Sequence, residues 1–179
     1  AAAIIKEITK REYGITLFDT QIIAGIALDE KIIAEMKTGE GKTFAAMLTS
    51  FISYLKDEKL YIATANEYLA KRDAEITSKV LNNLGIKTSY IEPKSTHSER
   101  IIAYTSDIVY ATTIIFAFDY LKDNLALSVS QLQQVGRRNI LIDEADLALI
   151  DQARTPLSIT GEKGQEDIAL YMLFRKELN

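Results

Sequence analysis

The chain has 179 residues, 47% of them hydrophobic and 26% charged, which suffices for one α/β domain with its own core and the start of a second. A formal net charge of −4 makes the whole chain a poor electrostatic partner for nucleic acid, and zero cysteines exclude disulfide frameworks and thiolate metal sites alike. No apolar run approaches the roughly 20 residues of a bilayer span, and no basic-then-apolar signal peptide opens the chain.

The first residues, AAAIIKE, lack a methionine and fit an N-terminus processed or trimmed from something longer. The expectation is therefore a soluble cytoplasmic α/β domain, or a piece cut from a larger protein. Ile4, Ile5 and Ile8 recur at helical spacing, and Gly14 is placed to stop that helix. Residues 20–28 (TQIIAGIAL) predict a second short helix with Asp19 as its cap. From there the chain alternates. Short runs rich in Ile, Val and Tyr predict strands at 31–36, 59–65, 87–92, 107–113 and 139–143. Helical patterns lie between them at 42–56, 67–84, 97–104, 114–126 and, weakly, 128–134, with Gly85 ending the second. Strands separated by helices of this length imply right-handed βαβ crossovers and a mostly parallel sheet flanked by helices. There is no internal repeat. After Gly161 the sequence turns polar (GEKGQED) before a helical period resumes, which places a domain boundary near residue 160. The expected division is 1–160 and the start of another unit over 161–179.

Two motifs carry chemistry. Thr38-Gly39-Glu40-Gly41-Lys42-Thr43 has two glycines that let backbone N–H groups turn inward around a phosphate. The helix that opens at Lys42 directs its positive dipole end at the same anion. Lys42 can reach β- and γ-phosphates, and the Thr43 hydroxyl can ligate Mg²⁺. A solvated glycine-rich turn is the plainer reading of these six residues taken alone. NILIDEAD (139–146) ends an apolar strand in two carboxylates, at the sheet edge where ligands sit in open α/β folds. Asp143 is placed to hold Mg²⁺ and Glu144 to orient or deprotonate an attacking water. An acidic start to a helix over 145–151 is the alternative there. Together, with several βαβ units between them, the motifs point to Mg-nucleotide hydrolysis.

The segments FDTQIIAGIALDEKIIAEMKTGEGKT (18–43), TANEYLAKRDAE (64–75), FDYLKDN (118–124) and IDEADLALIDQARTPLSITG (142–161) resemble the SecA family, the ATPase motors of bacterial protein export. The similarity runs to about residue 161. It accounts for Met36, which stands where a general phosphate loop carries a small residue but where loops of this family carry methionine. The resemblance implies a RecA-like P-loop nucleotide-hydrolase domain, DEAD-like and first of two. It implies ATP and Mg²⁺ as cofactors, held by Gln21, Thr38, Gly39, Glu40, Gly41, Lys42 and Thr43, with Thr43 and Asp143 at the metal and Glu144 and Lys42 in catalysis. Gln21 matches the family's adenine-reading glutamine, an amide that donates and accepts in one plane as the adenine edge requires. Phe18 then stands near the base or, on the plainer reading, in the core.

The same resemblance implies partners: the SecYEG channel, unfolded preproteins, an anionic membrane surface met peripherally on its cytoplasmic side, a second nucleotide-binding domain of the same protein, and a second copy in a homodimer. No nucleic acid is expected. Residues past 161 would begin the inserted preprotein-binding domain. The chain departs from the family at Thr113-Ile114-Ile115-Phe116-Ala117, usually Asn-Asn-Glu-Tyr-Gly, at Ala145 in the acidic tetrad, usually valine, and at Gln152, usually glutamate. These changes leave the phosphate and magnesium groups untouched and leave a housekeeping translocase and an accessory paralogue both open. Two rivals stand beside this reading. The literal DEAD tetrad suggests an RNA helicase, although a PTREL-like segment is replaced by Thr64-Ala65-Asn66-Glu67-Tyr68. A non-catalytic nucleotide-binding or docking module is the other. His97, the single histidine, reads as a solvated helix start, Lys71-Arg72-Asp73 as a helix face with a coupling role open, and Arg154 as a residue without assigned chemistry.

Overall fold

Lys59–Thr64 (β1) places Leu60 and Ile62 on one face and Tyr61 and Ala63 on the other, and all four are buried. A strand covered on both faces belongs inside a sheet flanked by helices on each side. The computed structural model, which describes residues 1–134, 136 and 138–157, has that arrangement. The helices are α1 (Ala2–Tyr13), α2 (Asp19–Asp29), α3 (Lys42–Leu55), α4 (Glu67–Leu81), α5 (His97–Tyr104) and α6 (Thr113–Leu125). With β1 they alternate with β2 (Thr88–Tyr90), β3 (Ile108–Thr112) and β4 (Arg138–Ile142). All strand pairs are parallel, in the order β2-β3-β1-β4, with Ile62 opposite Tyr110 on one side and Leu141 on the other.

The two faces have separate cores. Leu60, Ile62, Ile108 and Tyr110 pack with Ile5 of α1, Met47, Leu48 and Phe51 of α3, and Ala70, Ala74 and Val80 of α4. Tyr61, Ala63, Val109 and Ala111 pack with Tyr104 of α5 and with Ile115 and Phe116 of α6. Each large apolar side chain fully buried here contributes about 1.5–3 kcal/mol. On the second face Phe116 stacks on Tyr61 with ring centroids 4.9 Å apart. The apolar Ile115-Phe116 pair is therefore a core element of this chain. Under it, fully buried Asp119 receives Arg100 Nη1 at 2.7 Å and the Tyr104 hydroxyl at 2.8 Å, while Arg100 also ties down the carbonyls of Glu92, Pro93 and Ser95.

Most expected elements form where the pattern put them, and three differ. Residues 31–36, expected as a strand, run without strand pairing, with Ile33 91% exposed. A ladder needs a partner backbone, and a cavity of about 980 Å³ lies between this segment and β4, the outer strand of the sheet. The weak helix over 128–134 reduces to one 3₁₀ turn, Val129–Gln131. Asp19 does not cap α2: Phe18 occupies the cap position and Gln21 Oε1 accepts its backbone N–H at 3.0 Å. The expected second unit at 161–179 lies outside the described residues.

Candidate nucleotide site

The phosphate loop is shaped by two left-handed residues, Gly39 at φ 87° and Gly41 at φ 80°, values that side chains with a Cβ rarely adopt. Between residues 37 and 40 the backbone closes a turn. Glu40 N–H donates to Lys37 O at 3.2 Å, and the Glu40 carboxylate accepts Lys37 N–H at 2.9 Å. Gly41 then serves as the N-cap of α3, and no side chain caps that helix. Phe44 N–H donates to Gly41 O at 3.0 Å, and the Lys42 and Thr43 N–H groups at the start of the helix remain for an anion. The apolar stripe of α3, including Met47, Leu48 and Phe51, anchors the helix to the sheet and so fixes the loop.

Gln21 is 5% exposed and both ends of its amide are used. Oε1 holds Phe18 N–H, and Nε2 donates to Glu40 O at 2.8 Å. One side chain thus links the start of α2 to the phosphate loop. Phe18 is 70% exposed beside it, which removes the core reading of that aromatic.

The acidic pair enters from β4. Asp143 N–H donates to Ala63 O at 2.8 Å, continuing the β1–β4 pairing to the C-terminal edge of the sheet. Glu144 follows at φ 55°, a left-handed conformation for a residue with a Cβ, held by its N–H on Asp143 Oδ1 at 3.1 Å. A single π-type turn, Leu147–Asp151, stands where a helix over 145–151 was the alternative. Lys42, Thr43, Asp143 and Glu144 all line the 980 Å³ cavity. The loop residues Thr38, Gly39, Glu40 and Gly41 do not line it, and neither does Gln21 of α2, which is hydrogen-bonded to that loop. A second cavity, about 870 Å³, opens on the other side of the acidic pair, and Thr64, Asp143 and Glu144 line both.

Sequence reasoning missed one side chain in this site. Asp73 of α4 lines the same cavity as Lys42 and Thr43 and is buried. Burial pushes its carboxyl above the ordinary aspartate range and the Asp143 charge adds to that, while Arg72 and the Thr43 hydroxyl oppose it. The available signal was its phase: Ala70, Asp73, Ala74, Thr77 and Val80 share the buried stripe of α4, so Asp73 does not belong to the solvated face. The expectation for His97 as an exposed first residue of α5 agrees with the structure, and Arg154 lies in an exposed turn.

The model of the SecA DEAD-like domain matches residues 1–178. The chain belongs to the SecA DEAD-like domain family. Among similar proteins, the "Protein translocase subunit SecA" of Gracilaria tenuistipitata var. liui is 45% identical over 159 residues, covering 89% of this chain and 18% of that protein. The subunit of the same name from Carboxydothermus hydrogenoformans is 43% identical over 176 residues, 98% of this chain and 20% of its own length. That from Ehrlichia ruminantium is 43% identical over 171 residues, 96% and 20% respectively. This SecA-type domain thus spans about a fifth of the length of these relatives. It is RecA-like, with parallel strands and helices on both faces, as the SecA resemblance implied. Among the described residues no helix is long and apolar enough to cross a membrane.

Proposed function

We propose that this domain binds MgATP between the phosphate loop and the DEAD segment and is the first motor domain of a SecA-like protein translocase. One observation carries the reading: Lys42 and Thr43 at the start of α3 line one cavity with Asp143 and Glu144, which follow β4. The phosphate-loop amides and the first turn of α3 bind the phosphates, and Lys42 neutralises the β- and γ-phosphoryl charge. Thr43 and Asp143 offer a hydroxyl and a carboxylate, the hard oxygen donors that Mg²⁺ takes when most of its shell is phosphate and water. Bound with the nucleotide, Mg²⁺ would supply charge neutralisation at the β- and γ-phosphoryl oxygens. Glu144 accepts a proton from the water that attacks the γ-phosphorus, as the bond to the β–γ bridging oxygen breaks and ADP leaves. Gln21 reads the adenine edge by exchanging its bonds to Phe18 and Glu40 for bonds to the base, with Phe18 against the ring.

In the whole protein, hydrolysis would drive unfolded preproteins through the SecYEG channel from the cytoplasmic side, where the protein meets the anionic membrane surface peripherally and pairs with a second nucleotide-binding domain or a second copy. The relatives' names, all translocase subunits, support this over an RNA helicase. Two variants test the site. Lys42→Ala should lose at least about tenfold in affinity for a fluorescent ATP analogue, the scale of one charge-assisted contact. Glu144→Gln, placed in a full-length relative, should bind ATP normally and hydrolyse it about a hundredfold more slowly. Unchanged affinity in the first or normal turnover in the second rejects the respective assignment.

A further inference from the structure

We propose that Asp73 is a positioning residue of the phosphate loop: its carboxylate accepts the Thr43 hydroxyl proton and so aims the hydroxyl lone pairs at the magnesium–phosphate group. This rests on the MgATP reading above. The placement is the argument. Asp73 comes from α4, not from either motif, yet it is 5% exposed and lines the cavity that holds Lys42, Thr43 and Asp143. Thr43 lines the same cavity, and its hydroxyl opposes the upward shift that burial gives the carboxyl. Arg72 grips the carboxylate with Nε at 2.8 Å and Nη2 at 2.7 Å, and both contacts fall on Oδ1, which leaves Oδ2 for Thr43.

The chemistry follows from the hydroxyl inventory. A threonine oxygen that gives a lone pair to a cation still has a proton, and that proton needs an acceptor. A buried carboxylate is a strong one, because its hydrogen bonds are charge-assisted and the surroundings are of low polarity. Asp73 is the buried carboxylate that shares the cavity with Thr43. It acts through Thr43, as outer partners of metal ligands do. Arg72, half-exposed on the surface of α4, then fixes the acceptor.

The test is titration of this chain with a fluorescent ADP analogue across Mg²⁺ concentrations and in EDTA, alongside thermal unfolding. For Asp73→Asn the metal-free affinity should stay within about twofold, while the gain on adding Mg²⁺ falls at least about tenfold, the scale for losing an outer partner. In a Thr43→Ala background, Asp73→Asn should have no further effect, because the coupled partner is already gone. An unchanged Mg²⁺ gain, or effects that simply add in the double variant, overturns the inference. If Asp73→Asn does not fold, Arg72→Gln at the exposed end of the pair should show the same Mg²⁺-specific loss at about threefold; no loss there overturns it equally. Wild type that does not bind the analogue at all would instead sink the nucleotide reading itself, and wild type that binds it without any Mg²⁺ dependence would overturn the inference together with the magnesium assignment of Thr43 and Asp143.

Discussion

At the scale of single residues, the two loop glycines look alike in sequence and differ in space. Both have positive φ, so a Cβ at either costs about 1–2 kcal/mol of backbone strain. A Cβ on Gly39 would meet nothing within 4 Å, whereas one on Gly41 would run into the Gln21 amide. Gly39→Ala should therefore lower stability by about 1–2 kcal/mol and leave Gln21 in place. Gly41→Ala should do the same and also displace the Gln21 amide from beside the loop, lowering nucleotide affinity further. Equal affinities for the two variants, measured with a fluorescent nucleotide, would contradict that ordering. The contrast was invisible in the sequence, because it depends on a side chain that arrives from α2, twenty positions away. Asp73 was obscured for a related reason. Its neighbours Lys71 and Arg72 suggest a solvated run, and only its spacing from Ala70, Ala74 and Thr77 places it inward.

At the scale of elements, α2 and α3 meet closely at Gly25, whose added Cβ would stand 2.9 Å from Ala45 O and 3.0 Å from Leu48 Cβ. Gly25→Ala must spread the two helices, and overpacking of this kind costs about 1–3 kcal/mol. Denaturant unfolding should show that loss with an unchanged m-value. α5 offers a pH prediction. Its Thr96–Glu99 capping box, with Thr96 N–H on Glu99 Oε2 at 2.7 Å, holds the Glu99 carboxyl below its ordinary range. A depressed carboxyl gives stability that is present above its unfolded value, about 4.3, and lost as pH falls through the folded one. Melting curves of Glu99→Gln and wild type should differ at pH 7 and converge below about pH 3. Helices and buried strands were legible because their burial follows the periods of 3.6 and 2, as in α4 and β1. The strand expected at 31–36 was not: KIIAEM has the right composition, but pairing is set by a neighbour that no local pattern contains. Likewise, the capping of α2 by Gln21 rather than Asp19 depends on the direction the chain takes out of Phe18.

At the scale of the whole molecule, the chain covers about a fifth of its relatives' length, and the site reflects that proportion. It brings Lys42, Thr43, Asp143 and Glu144 to one cavity, with the glycine-rich loop leading into Lys42. Glu144 and the loop residues Thr38 and Gly39 are exposed, so one side of a bound nucleotide would face water. Phosphoryl transfer needs a positive group over the charge that develops on the γ-phosphoryl, and an arginine supplied from outside raises rates by roughly 10³–10⁵. Water on the open side also screens Lys42, which lowers affinity as well as rate. The isolated 179-residue chain should therefore bind nucleotide weakly and turn it over barely above background. Adding the remainder of a full-length relative as a separate polypeptide should raise turnover by at least about a thousandfold if it closes over this face with such an arginine. A steady-state phosphate-release assay on the chain alone, then with the added remainder, decides it. Robust turnover by the chain alone would mean that the groups lining this cavity suffice for catalysis, and the reading of a motor completed by a second domain would fall.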